Sequence, residues 1–244
     1  MNAYKKLRNI ATAALLCIIS LSCTATMTKN AVQSSEEQKL EYGKLVVPSH
    51  APSDYLLIPV GLPIESNKSR GFISSKGGYS EKDIYGVIPY NLVFYNKTSG
   101  EAHLLLKRNA LIDNFTFLTE KPEVQPGRSQ PKNKGKAIAL LVKLIENDTN
   151  GDGEINRQDA IVAYLADTDG KNIKPIMPPK TTLISWHLDA KLGFLLLKIR
   201  KDANNDGTFT KEDETTFIRV NLENPEIGTE IIPEAVRQQI EQGI

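Results

Sequence analysis

Asp148, Asn150, Asp152, Asn156 and Asp159 fall on positions one, three, five, nine and twelve of the stretch "DTNGDGEINRQD". Carboxylate and amide oxygens at that spacing suit a hard cation. Calcium takes six to eight oxygens at about 2.4 Å, and a twelve-residue loop can wrap them around one ion. Asp148, Asn150 and Asp152 are side-chain candidates, Glu154 would give its backbone carbonyl, and Asn156 a direct or water-bridged oxygen. Asp159 would close the set with its carboxylate. Gly153 stands sixth, where the chain must turn sharply and a side chain is least tolerated. Ile155, eighth, is expected to point into the core.

The same pattern recurs in "DANNDGTFTKED", 54 residues further on. It offers Asp202, Asn204, Asp206, Thr208 by its carbonyl, Thr210 and Asp213, with Gly207 at the turn and Phe209 in the inward place. Asp, Asn and Gly are also what ordinary turns use, so one such stretch would carry little weight. Two copies, each with an acid at twelve and a hydrophobe at eight, favour metal over turn. Three carboxylates per loop then face an ion of charge +2.

Both stretches resemble EF-hand loops, with departures. An EF-hand sensor closes with a bidentate Glu; both loops here close with the shorter Asp. The leading segments "ALLVKLI" and "FLLLKI" lack the spacing of an amphipathic helix. With only Met27 and Met177 beyond the first residue, no Met-rich groove is available to open. Asp at twelve without an entering helix is similar to the dockerin module, in which Ile161, Tyr164 and Leu165 would line a helical face. "TTFIRVNL" after the second loop is β-branched and reads as a strand, which argues against that. The strand–loop–strand order, with "YLADTDGKNIKPI", looks more like bacterial β-propeller blades that carry calcium loops between strands.

The elements that must hold the loops are short apolar runs bounded by turn residues: "YLLIPV", "NLVFY", "AHLLL", "FTFL", "IALLVKLI", "TTLISW", "GFLLLKI" and "TFIRVNL". These predict strands. "NKTSGE" predicts a hairpin turn in which Gly100 supplies a positive φ. "LLVKLIENDTNGDGEINRQD" and "LLLKIRKDANNDGTFTKED" align as an internal repeat, with a one-residue gap that implies a bulge. Only "PEAVRQQIEQGI" reads as helix, opened by Pro233, with Val236 and Ile240 on one face. The expectation is an all-β chain of antiparallel strand repeats, either a small propeller of four units or a two-sheet sandwich, with a short C-terminal helix. Residues 45–120 form its N-terminal half, 121–136 a Pro- and Lys-rich loop, and 137–244 the half that carries the loops.

The N-terminus predicts export. Lys5, Lys6 and Arg8 precede the apolar run "IATAALLCII", which is too short to span a bilayer. "ISLSC" resembles the lipobox of bacterial lipoproteins, with Ser20 where Leu is favoured, and implies lipidation at Cys23 after loss of residues 1–22; an ordinary secretory signal cut near Ser22 or Ala25 is the alternative. Thr24, where some bacteria use Asp to keep lipoproteins at the inner membrane, points to the outer membrane. Residues 23–44 read as a flexible tether. Losing residues 1–22 takes three cations and no anions from 30 basic and 29 acidic residues, leaving a net charge near −2. That disfavours a nucleic-acid partner. Cys17 leaves with the signal, so no disulfide can form within the remaining chain.

No enzyme is expected. His50, His103 and His187 have no zinc-like spacing to Cys or carboxylates, and no G-x-S-x-G, H-E-x-x-H or P-loop sequence occurs. Asp167 and Asp169 in "ADTDG" read as hairpin-turn residues, and Trp186 with His187 as the end of a strand. The sequence therefore points to a calcium-binding envelope lipoprotein with structural metal sites. A calcium-dependent module for another envelope protein or a glycan is the alternative.

Overall fold

Every apolar run with strand character lies in a strand of the computed structural model, which describes residues 39–47, 54–64, 85–120 and 135–243. Residues 1–38, hence the expected signal segment, Cys23 and most of the expected tether, lie outside the described residues, as do His50 and most of 121–136. Three antiparallel four-stranded sheets are present, each a meander in chain order. The first contains β1 (Glu41–Tyr42), β2 (Tyr55–Pro63), β3 (Val87–Asn96) and β4 (Ala102–Leu104). The second contains β5 (Leu111–Thr119), β6 (Ala137–Ile145), β7 (Ile161–Ala166) and β8 (Lys174–Pro175). The third contains β9 (Thr181–Asp189), β10 (Phe194–Lys201), β11 (Thr215–Asn221) and β12 (Thr229–Glu230), and one helix follows, α1 (Glu234–Gln242).

The all-β class, the antiparallel repeats and the C-terminal helix agree with the sequence. The number of sheets among the described residues is three, where the spacing allowed two or four. Glu41 and Tyr42, placed by composition at the end of the tether, pair with Val60 and Gly61 of β2. The β3–β4 hairpin turns at Gly100 with φ 74°, as its sequence requires.

The second sheet lies between the other two and supplies both cores. Ala139, Leu141, Ala163 and Leu165 pack with Leu195, Leu197, Ile199, Ile218 and Val220 of the third sheet. Leu140, Val142 and Leu144 pack instead with Leu57, Leu92 and Phe94 of the first. That is why β6 is apolar at every position but Lys143: a strand buried on both faces has little polar side to alternate with. The helix, in contrast, buries none of its residues. Arg237 holds it by pairing with Glu230 at 2.9 Å and with Glu214.

Candidate metal centre

Each loop joins the two central strands of its sheet. Asp148–Asp159 connects β6 to β7, and Asp202–Asp213 connects β10 to β11. Strands with strong apolar faces set the two ends a fixed distance apart, and the polar residues between them have no core to enter. They fold by capping their own backbone. Asp148 accepts the Gly153 N–H at 2.8 Å and Asp202 accepts that of Gly207 at 3.1 Å. Asn150 accepts from the Asp152 N–H at 3.0 Å, and Asn204 from the Asp206 N–H at 3.2 Å. Asp152 accepts the Glu154 N–H at 2.8 Å, and Asp206 the Thr208 N–H at 2.7 Å.

The amide groups of Asn150 and Asn204 donate to Asp152 and Asp206 at 3.1 and 2.8 Å. At the far end, Asp159 accepts the Asn156 N–H at 2.9 Å and Asp213 the Thr210 N–H at 2.7 Å. The side-chain oxygens of Asn156 and Thr210 accept the N–H of Gln158 and Glu212 at 2.8 and 3.2 Å. Six hydrogen bonds thus recur at equivalent positions. Positions four and six are left-handed in both loops: Gly151 (φ 72°) and Gly153 (φ 87°), Asn205 (φ 59°) and Gly207 (φ 76°).

The twelfth residues are the roots. Asp159 is 4% exposed and Asp213 8%. Asp159 also accepts from the Thr149 N–H at 2.7 Å, the Thr149 hydroxyl at 3.3 Å and the Asn150 N–H at 3.3 Å, so it ties both ends of its loop together. Ile155 corrects the sequence reading. It is 39% exposed, because the turn at Gly153 throws the eighth position outward instead of toward either core. Phe209 is half-buried but belongs to neither core cluster. Ile161, Tyr164 and Leu165 lie in strand β7, so the helical face of a dockerin repeat is not formed.

The loops are neighbours, although 54 residues separate them in sequence. A Cβ built on Gly207 would meet the Thr149 carbonyl oxygen at 1.9 Å. The start of β9 contacts both loop regions. The Lys180 carbonyl accepts the Asp202 N–H at 3.0 Å, Lys180 Nζ donates to Asn205 at 2.5 Å, and Thr182 Oγ1 accepts the Ile161 N–H at 2.9 Å.

Calcium is the group the loop sequences imply, and the donor set fits it in kind. Every candidate side chain presents oxygen. Each Asp148 oxygen accepts one N–H, from Gly151 or Gly153, which leaves it further lone-pair capacity. The fit lies in donor type and loop framework rather than in converged carboxylates. Among the described residues no three His, Cys, Asp or Glu side chains gather at metal-binding spacing.

Two features near the first loop were not foreseen from sequence. Asp113, buried on β5, meets Lys143 Nζ at 2.6 Å and Arg157 Nε at 2.9 Å. Beside it, Tyr85 is pushed up to about 12, by burial first and by the Asp113 charge second. The Tyr164 hydroxyl donates to Glu146 at 2.8 Å, just before the loop. Its phenol is also pushed up to about 12, by burial and then by that bond. The residues read as turn formers behave so: the Asp167 carbonyl accepts the Gly170 N–H at 2.9 Å. Trp186 and His187 lie within β9, where Trp186 helps line a half-open cleft of about 290 Å³ with Lys143, Ile161, Leu183, Ile184 and Ser185. No known family and no curated protein matches the chain.

Proposed function

We propose that this chain is an exported lipoprotein, anchored in a bacterial envelope through a lipid on Cys23, whose two loops hold calcium as structural staples. The observation that carries the metal part is the repetition of six hydrogen bonds at equivalent positions in loops of separate sheets. A turn needs a few such bonds; two turns with no functional constraint have no reason to share all of them. Export and anchoring rest on the sequence of residues 1–23.

Asp148 and Asp202 hold the left-handed glycine turns, and Asp159 and Asp213 fix the loop ends beside β7 and β11. When bound, calcium supplies a double positive charge that offsets the three carboxylates of each loop. The residues held by that charge lie between paired strands, so ordering them fixes the register of both sheets. At millimolar calcium outside the cytoplasm, a site with a Kd near 10⁻⁵ M would be about 100-fold saturated and would add about 2.7 kcal/mol.

A second reading, a calcium-dependent surface for an envelope protein or a glycan, is favoured by the exposed Ile155 and by the Trp186 cleft. Thermal unfolding of the full-length chain with calcium chloride and with EDTA separates the two. The staple reading expects a large difference in Tm. An unchanged Tm would sink it, whereas binding with little stabilisation would favour the second reading.

A further inference from the structure

We infer that the outer face of the first sheet is a membrane-contact surface: it lies on the lipid bilayer to which the acyl group on Cys23 holds the chain. The inference rests on the lipid-anchor reading and adds a second, non-covalent contact with the same membrane.

Strand register sorts the first sheet into two faces, because directly paired side chains share a face and successive ones alternate. Leu57 pairs with Phe94 and Pro59 with Leu92, and Leu57, Leu92 and Phe94 belong to the core shared with the second sheet. Leu56 pairs with Tyr95 and Ile58 with Val93, so these four face away from it. Leu104 of β4 extends the row beyond Val93, and Tyr42 of β1 lies beside Val60. Val46 bridges to Leu57 and packs against the core, which turns its neighbours Leu45 and Val47 outward. The paired outward positions of this sheet carry no charge among the described residues. The one amide among them, Asn91, is buried and donates to the Leu106 carbonyl at 3.0 Å.

The third sheet shows what the same chain does with a face left to water. Its outward positions pair Lys198 with Phe217, Leu196 with Arg219 and Arg200 with Thr215. Lys198 and Arg219 lie over the rings of Phe217 and Phe194, at 5.9 and 4.5 Å from their centres, so cations roof the apolar groups. The outward residues of the first sheet have no such roof. Tyr42 is 77% exposed, Val47 64% and Leu104 54%. Contiguous apolar exposure of this kind marks a contact surface.

Chain length favours the bilayer as what covers it. Fifteen residues, 24–38, separate Cys23 from Lys39, and even full extension takes Lys39 no further than about 55 Å from the lipid. The exposed apolar residues begin directly after them, at Leu40. An acyl group on Cys23 therefore keeps a bilayer at high local concentration beside the face that most needs covering. Tyr42 and Tyr95 suit the headgroup level, where a ring can be buried while its hydroxyl stays wet.

Intact mass of the mature chain, made from the full-length sequence, establishes the lipid on Cys23; its absence would remove the anchor reading and this surface together. The lipid-bearing chain is then reconstituted on phosphatidylcholine vesicles. Trp186 is the only native indole and lies on the third sheet, so it is the distant reference. Tyr42→Trp, made with Trp186→Phe, is expected to shift its emission to the blue on vesicles and to lose fluorescence to brominated acyl chains. Trp186 of the parent chain should do neither. Adding Leu45→Glu and Val47→Glu should abolish both signals while the chain stays on the vesicles. Val47→Trp is the second reporter should Tyr42→Trp fail to fold. A lipid-bearing chain whose introduced indole ignores brominated lipid, or whose signals persist in the glutamate variant, would overturn the surface and leave the anchor standing. Blue emission already present without vesicles and unchanged by them would also overturn it, because the chain itself or a second copy would then cover the face.

Discussion

Gly207, sixth in the second loop, backs onto Thr149, second in the first, so closely that a Cβ there would lie 1.9 Å from the Thr149 oxygen. Gly153, at the same position in the first loop, has nothing within 4 Å of the corresponding point. Both glycines are left-handed, which costs an L side chain about 1–2 kcal/mol. Gly153→Ala is therefore expected to lower stability by about that amount. Gly207→Ala should cost clearly more, because the loops must also separate. Urea unfolding of the two variants checks this, and equal losses would mean that the contact contributes nothing.

Asp159 and Asp213 occupy equivalent positions but do unequal work. Asp159 accepts from Thr149, Asn150 and Asn156, whereas among the described residues Asp213 accepts only from the N–H and hydroxyl of Thr210. Asp159→Ala leaves more buried donors unpaired and is expected to cost about 3 kcal/mol without calcium, against about 1.5 for Asp213→Ala. Chemical denaturation in EDTA gives both values; the reverse order would contradict the hydrogen-bond assignment.

The C-terminal helix depends on ion pairs, and so on pH. The bond from Lys201 at 2.7 Å, with help from Arg237 and Thr216, holds the Glu230 carboxyl below its ordinary range. Because the folded value lies below the unfolded one, the unfolded chain binds the extra proton, and stability falls as pH falls. The contribution is complete above the unfolded value of about 4 and is lost below it. Glu230→Gln should thus lower Tm at pH 7, and the gap from wild type should narrow as pH falls below about 4. A gap independent of pH would contradict this.

How far the chain was legible from its sequence depended on the range of the contact. Short apolar runs bounded by turn residues marked β10 and β11, and the left-handed glycines of the loops followed from local chain geometry. The stacking of three sheets did not follow. The run "IALLVKLI" is apolar on both faces except at Lys143, and periodicity cannot say what covers the second. The pairing of Gly207 with Thr149 and of Asp113 with Arg157 joins residues far apart in sequence, and no local pattern marks either. The alignment gap between the repeats implied a bulge in one copy; instead β6 and β10 pair regularly with β7 and β11, and β5 and β9 both carry a bulge at the same place. Ile155 misled because a hydrophobe at the eighth position suggests a core that this loop does not reach.

Calorimetric titration of calcium into the EDTA-stripped full-length chain tests the central claim most directly, with Asp148→Asn and Asp202→Asn as single-loop controls. The expected result is two sites in the wild-type chain, one site in each control, and a Tm that rises with occupancy. The absence of binding heat together with an unchanged Tm would contradict the account and reduce both loops to turns that cap themselves.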